Sequence, residues 1–136
     1  MIGRRVRMTQ AQIWKNSPFS IERTEGKAPG TVIFRLCGPF TARDMYGSLT
    51  PIELQNMLDF QSAPEPPVLN ILDLTEVPYM DSTGLGMIVK HYVRCHGKGV
   101  RVIAAGANAR VLELFKLTRM DGVIATAGTV DDADIR

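Results

Sequence analysis

Cysteine, histidine and tryptophan are scarce in this chain of 136 residues, which has two, two and one of them. Cys37 and Cys95 stand far apart in no metal-ligand spacing, each inside an apolar pattern, and read as reduced core residues. His91 and His96 have no second cluster to join, so no metal site is expected. No stretch approaches the ~18 consecutive apolar residues that a membrane span requires. Arg4, Arg5 and Arg7 have no apolar run behind them, which argues against a secretory signal. A G-x-x-x-x-G-K-[ST] phosphate loop is absent, and no internal repeat is visible. These absences point to a cytoplasmic protein that binds no metal or cofactor.

What is present describes one globular domain. Hydrophobic residues make up 45% of the chain and charged residues 22%, and the length suits a single core rather than two. The net charge of +2 is unevenly placed: residues 1–30 hold six basic and two acidic side chains, a net +4, so the remainder carries −2. A basic arm of this kind is more often solvated than bound to nucleic acid. Residues 1–17, with Trp14, read as an N-terminal extension of low order that Pro18 closes.

From Phe19 onward the pattern is regular. Phe19-Ser20-Ile21-Glu22-Arg23 alternates with period two, and Thr31–Cys37 follows a Gly/Pro turn, which predicts a β-hairpin. Gly38 and Pro39 end it, and a loop leads to Thr50-Pro51-Ile52-Glu53, a helix start by its threonine cap, first-position proline and returning glutamate. Pro64, Pro66 and Pro67 stop that helix and feed a strand over 68–74. Leu85, Ile88, Val89 and Tyr92 predict a helix over 83–96, and Val100–Ala105 a strand. Asn108 caps a further helix, Val123–Thr126 is a short strand, and Thr129 opens a helical stub. The order ββαβαβαβ requires a mostly parallel sheet of about five strands with an antiparallel N-terminal edge and helices packed on it, an α/β fold.

Tyr79-Met80-Asp81-Ser82-Thr83-Gly84-Leu85-Gly86 falls where such folds place their sites, at the carboxyl end of a strand. With the helix starting at Thr83, Ser82 is its expected cap, and the same position suits an anion. Gly84 and Gly86 each cost the first turn about 1 kcal/mol relative to alanine. Either helix–sheet packing or a close external surface accounts for them. Asp81 and Asp73 are the carboxylates expected near the hydroxyl. An enzyme is disfavoured. Asp-Ser-Thr-Gly has one residue too many for an aspartic-protease motif, and His91 and His96 lie along the helix that Ser82 begins, so neither can fold back onto it.

Asn70-Ile71-Leu72-Asp73-Leu74-Thr75 followed by Met80-Asp81-Ser82-Thr83-Gly84-Leu85-Gly86 resembles the STAS family, the sulphate-transporter and anti-sigma-factor-antagonist domains. The similarity runs from about Phe19 to Ala133, within a domain taken as 18–136. The resemblance implies a bacterial anti-sigma factor antagonist. Its unmodified form binds an anti-sigma factor that is a serine kinase and so releases a sigma factor. Phosphorylation at Ser82 ends the complex, and a PP2C-type phosphatase reverses it. Asp81, Ser82, Thr83, Gly84, Gly86, Thr41 and Asp73 would form the partner-binding site, with no catalytic residue and no direct nucleic-acid contact. Thr41 stands where the family commonly has an aspartate, after Phe34-Arg35-Leu36-Cys37-Gly38-Pro39-Phe40. Two other functions suit the same domain: a non-switching scaffold in a signalling assembly, or a small-molecule or lipid-handling domain.

Overall fold

A computed structural model of the chain describes residues 6–7, 19–46 and 67–134. The helix expected to start at Thr50, and Trp14, lie outside the described residues. The elements are β1 (Val6–Arg7), β2 (Ser20–Glu25), β3 (Thr31–Cys37), α1 (Ala42–Tyr46), β4 (Leu69–Glu76), α2 (Ser82–Gly97), β5 (Arg101–Ala105), α3 (Ala109–Leu117), β6 (Ala125–Ala127) and α4 (Val130–Asp134). A 3-10 turn at Met120–Gly122 joins α3 to β6.

One sheet runs in the order β1-β2-β3-β4-β5-β6. The β1–β2 and β2–β3 pairs are antiparallel, and the β3–β4, β4–β5 and β5–β6 pairs are parallel. This is the mostly parallel sheet with an antiparallel edge that the element order requires. Its first strand is a two-residue addition from the segment expected to be of low order. The α1 helix occupies the first half of what was expected to be a loop after Phe40. Thr41 makes that helix possible: its Oγ1 accepts from the Asp44 N–H at 3.1 Å and donates to the Asp44 carboxylate at 2.7 Å, a reciprocal cap.

Strand alternation divides the core between the two sheet faces. Phe34, Leu36, Leu72, Leu74, Val102 and Ala104 face α2 and α3, where they meet Leu85, Ile88, Val111 and Phe115. Leu69, Ile71, Ile103 and Ala105 face the other way and meet Ala133 of α4. The register carries Ile33, Ile71, Ile103 and Ala125 in one row across four strands. As the sequence predicts, Thr129 caps α4, its Oγ1 accepting from Asp132 at 3.1 Å. Asp134 then locks the hairpin turn, accepting from the backbone N–H of Lys27 at 2.7 Å and of Ala28 at 3.3 Å. A carboxylate more than a hundred residues away thus satisfies the donors of a tight turn.

Cys95 is buried and Cys37 half-buried, and neither forms a disulfide. Burial is the largest influence on the Cys37 thiol and pushes its pKa up, with Arg35 opposing.

Asn70 and His91, both buried in the core, are matched to one another. Asn70 is fully buried and donates from Nδ2 to the Val32 carbonyl at 2.9 Å, while His91 Nε2 lies 2.6 Å from its Oδ1. Because the amide oxygen can only accept, the imidazole carries its proton on Nε2. His91 is therefore a structural bolt between α2 and β4. Asn70→Ala orphans two buried groups and is expected to lower stability by about 2–4 kcal/mol, read as a fall in the urea midpoint at unchanged slope.

Candidate functional site

The start of α2 is held by the segment that follows β3. Phe40 is fully buried and stacks on Phe19, with ring centroids 4.9 Å apart and planes within 4°. Its backbone N–H donates to the Tyr79 carbonyl at 3.0 Å and its carbonyl accepts from Asp81 at 3.3 Å, beside a parallel bridge to Met80. A Cβ on Gly84 would collide with that same Phe40 carbonyl oxygen. The first of the two glycines is thus explained by packing: only a hydrogen there lets the β3 extension lie against the helix.

Asp81, and not Ser82, is the N-cap of α2. Its backbone is extended, with φ −109° and ψ −172°, and its Oδ1 accepts from the Gly84 N–H at 3.0 Å. Its Oδ2 accepts from the Ala42 N–H at 3.1 Å, so one carboxylate closes two helix starts, α2 and α1. The expectation of a Ser82 cap fails because the helix begins one residue earlier than the apolar spacing suggests. The consequence is chemical. Ser82 is the first helical residue, it is exposed, and among the described residues nothing hydrogen-bonds its hydroxyl.

The remaining expected residues divide. Thr83 is half-buried beside Ser82, and Gly84 is buried beneath it. Thr41 is buried and adjoins Ala42, which Asp81 binds, so it does belong to this end of the molecule. Having no carboxylate, it serves as a cap for α1. Gly86 differs from Gly84: a Cβ there would meet nothing within 4 Å. Asp73 is not brought to the hydroxyl. Alternation puts it on the face of β4 shared by Leu69 and Ile71, away from α2, where its Oδ1 accepts from the Thr75 N–H at 3.0 Å and hydroxyl at 2.6 Å. Thr75 in turn lies so close to Gly106 that a Cβ there would overlap its Oγ1, and Gly106 has φ +77°. Asp73 thus secures the turns at the ends of β4 and β5.

Two features of this surface were not anticipated from sequence. Asn108, the N-cap of α3 with Oδ1 accepting from Val111 at 2.9 Å, also donates from Nδ2 to the Pro78 carbonyl at 3.0 Å. Its capping role is legible in the sequence; its bond to the neighbouring loop is not. Arg110 lies over the Tyr79 ring at 5.0 Å from its centroid.

Chemistry at Ser82 has no base to draw on from histidine. His91 and His96 stand nine and fourteen residues along the helix, roughly 13 and 21 Å up its axis, and His91 is bonded to Asn70. Among the described residues no group of three His, Cys, Asp or Glu side chains can hold a metal ion, and no helix is long and apolar enough to cross a membrane.

The STAS domain family model matches residues 25–133. Among curated proteins, the anti-sigma-B factor antagonist of Listeria monocytogenes is 35% identical over 75 residues, which is 55% of this chain. The match spans 65% of that relative's length. A solved sulfate transporter family protein from Wolinella succinogenes superposes with a TM-score of 0.65 at 19% identity, covering 79% of this chain and 84% of that one. An anti-sigma factor antagonist from Mycobacterium paratuberculosis superposes with a TM-score of 0.61 at 23% identity, covering 84% and 91%. At these identities the two structures share the fold.

The two glycines of the first turn are expected to respond with opposite signs. Gly84→Ala drives a methyl into the Phe40 carbonyl and lowers stability by about 1–3 kcal/mol. Gly86→Ala gains helix propensity in open space and raises it by about 0.5–1 kcal/mol. Thermal and urea unfolding of the two variants measure both.

Proposed function

The chain belongs to the STAS domain family, and on that premise we propose that it is an anti-sigma factor antagonist switched at Ser82. The unphosphorylated form binds an anti-sigma factor that is a serine kinase, and a sigma factor is released. Phosphorylation of Ser82 ends the complex, and a PP2C-type phosphatase restores the binding form. The protein acts in the cytoplasm and is itself no enzyme.

The observation that carries this proposal is the free Ser82 hydroxyl on the surface at the head of α2, with its expected capping work done by Asp81. A serine that caps a helix must give up its own bond to be phosphorylated; this one gives up none. The name of the Listeria relative points to the same antagonist function. Gly86 adds support, since a helix glycine with nothing packed on it leaves space for a partner's surface to approach the backbone.

Magnitudes favour a switch that turns binding off. A phosphate adds about −1.5 to −2 charges. The amino end of α2 stabilises it by about 0.3–1 kcal/mol, too little to hold it inside an interface. Placed against carboxylates of a docked partner, like charges cost several kcal/mol. Repulsion therefore exceeds the helix-end attraction, and the modified protein leaves.

Coexpression with the cognate kinase, followed by mass spectrometry, is expected to place one phosphate on Ser82 and none on a Ser82→Ala protein. Ser82→Ala should bind the kinase as wild type does, and Ser82→Asp should bind at least about ten-fold more weakly. Equal binding of wild type and Ser82→Asp contradicts the switch.

A further inference from the structure

The surface beside Ser82 holds a preassembled aromatic–cation pair. Tyr79 is 38% exposed, three residues before Ser82 in the loop that carries Asp81. Arg110 lies 5.0 Å over its ring. It is exposed and, among the described residues, has no acidic partner. Arg110 is the second residue of α3, where the helix dipole disfavours a cation, and no acidic residue in that first turn compensates it. A cation kept against that field and laid on an aromatic face is held for what it meets outside the molecule.

Three further observations describe that partner. First, the pair is rigid. Asn108, two residues before Arg110, donates to the Pro78 carbonyl, one residue before Tyr79, so the two loops move together. Second, the charge of Arg110 is not neutralised on its own helix: Glu113, three residues on, is exposed and makes no ion pair with it among the described residues. Third, the carboxylates at the heads of α1 and α2 are already engaged. Asp81 accepts from two backbone N–H groups and Asp44 from Thr41, while Arg43, next to Ala42, is exposed.

Resting on the switch at Ser82, we propose that Tyr79 and Arg110 form the recognition pair that receives a carboxylate-bearing surface of the kinase partner. Tyrosine and arginine dominate the energetics of protein interfaces, and a stacked pair loses little freedom on docking. The same pair explains how the phosphate acts at a distance from the contact. A dianion at the head of α2 lowers the positive potential around Arg110 that draws the partner's carboxylates in.

Titration of the organism's purified anti-sigma serine kinases, at low and at physiological salt, tests this. The proteins compared are wild type, Ser82→Asp, Arg110→Gln, Arg110→Lys, Tyr79→Ala, Arg110→Gln/Tyr79→Ala and Arg101→Gln, each with an unfolding transition to verify the fold. Arg110→Gln is expected to weaken binding about ten-fold at low salt and to flatten its salt dependence, through a slower association. Arg110→Lys should keep part of the salt dependence and lose part of the affinity, because an ammonium lacks the planar stack. Tyr79→Ala should lose about as much as Arg110→Gln, and the double variant little more than either, as residues acting as one unit are not additive. Arg101→Gln, at the start of β5 and so at the other end of the sheet, should bind as wild type does. If Ser82→Asp weakens binding while Arg110→Gln and Tyr79→Ala match wild type, the pair is a bystander and only the switch survives. If wild type binds none of the kinases, both fall.

Discussion

The close approach of Phe40 to Gly84 is the contact on which the whole presentation of Ser82 depends. It joins the extension of an antiparallel hairpin to the first turn of a helix that follows a different strand, with the hairpin's own partner ring, Phe19, stacked behind. A backbone carbonyl can lie on a helix at this distance only where no Cβ intervenes. Once it does, the Tyr79, Asp81 and Ala42 backbones are all within reach of one another, and their hydrogen bonds follow. The exposed serine is therefore mounted on a junction that several backbone hydrogen bonds hold. For the proposed phosphorylation, such a base would present the hydroxyl in one orientation.

Electrostatics at this junction turn on where one carboxylate spends its lone pairs. Asp81 satisfies donors at the heads of two helices, so its charge is absorbed locally and Ser82 is spared the capping role. Had the helix begun a residue later, the serine oxygen would have been tied to the backbone and its phosphorylation would have carried a folding penalty of about 1 kcal/mol. The same economy appears at Thr41 and Asp44, which bind each other. Asp81 and Asp44 are engaged while Arg110 and Arg43 are exposed, which is the charge arrangement that the proposed acidic partner would meet.

Much of the architecture was legible because it rests on local rules. Asn108 is legible as a cap before an apolar run and Thr129 as the opening of a helical stub, and both bond as N-caps do. The apolar strand 68–74 became the central parallel strand, extended to Glu76, because both its faces are covered. Other features depended on neighbours distant in sequence. Asp73 and Asp81 bracket the same motif and look equivalent on paper. Period-two alternation sends Asp73 to the opposite face, and only the paired register reveals which face that is. Gly84 and Gly86 are likewise alike in sequence; one lies under a carbonyl and the other is open. His91 could not be placed until Asn70 was seen opposite it.

The sequence by itself determined the α/β class, the order of the described elements apart from β1 and α1, the family and the serine at the head of the second described helix. Those follow from periodicity, capping chemistry and a motif, all of which are written in consecutive residues. Only the tertiary structure decided that Asp81 also binds Ala42 at the head of α1, that Phe40 lies over Gly84, and that Arg110 covers Tyr79. Each of these joins segments about thirty to more than forty residues apart, and such contacts are chosen by how strands stack and loops meet rather than by any local preference.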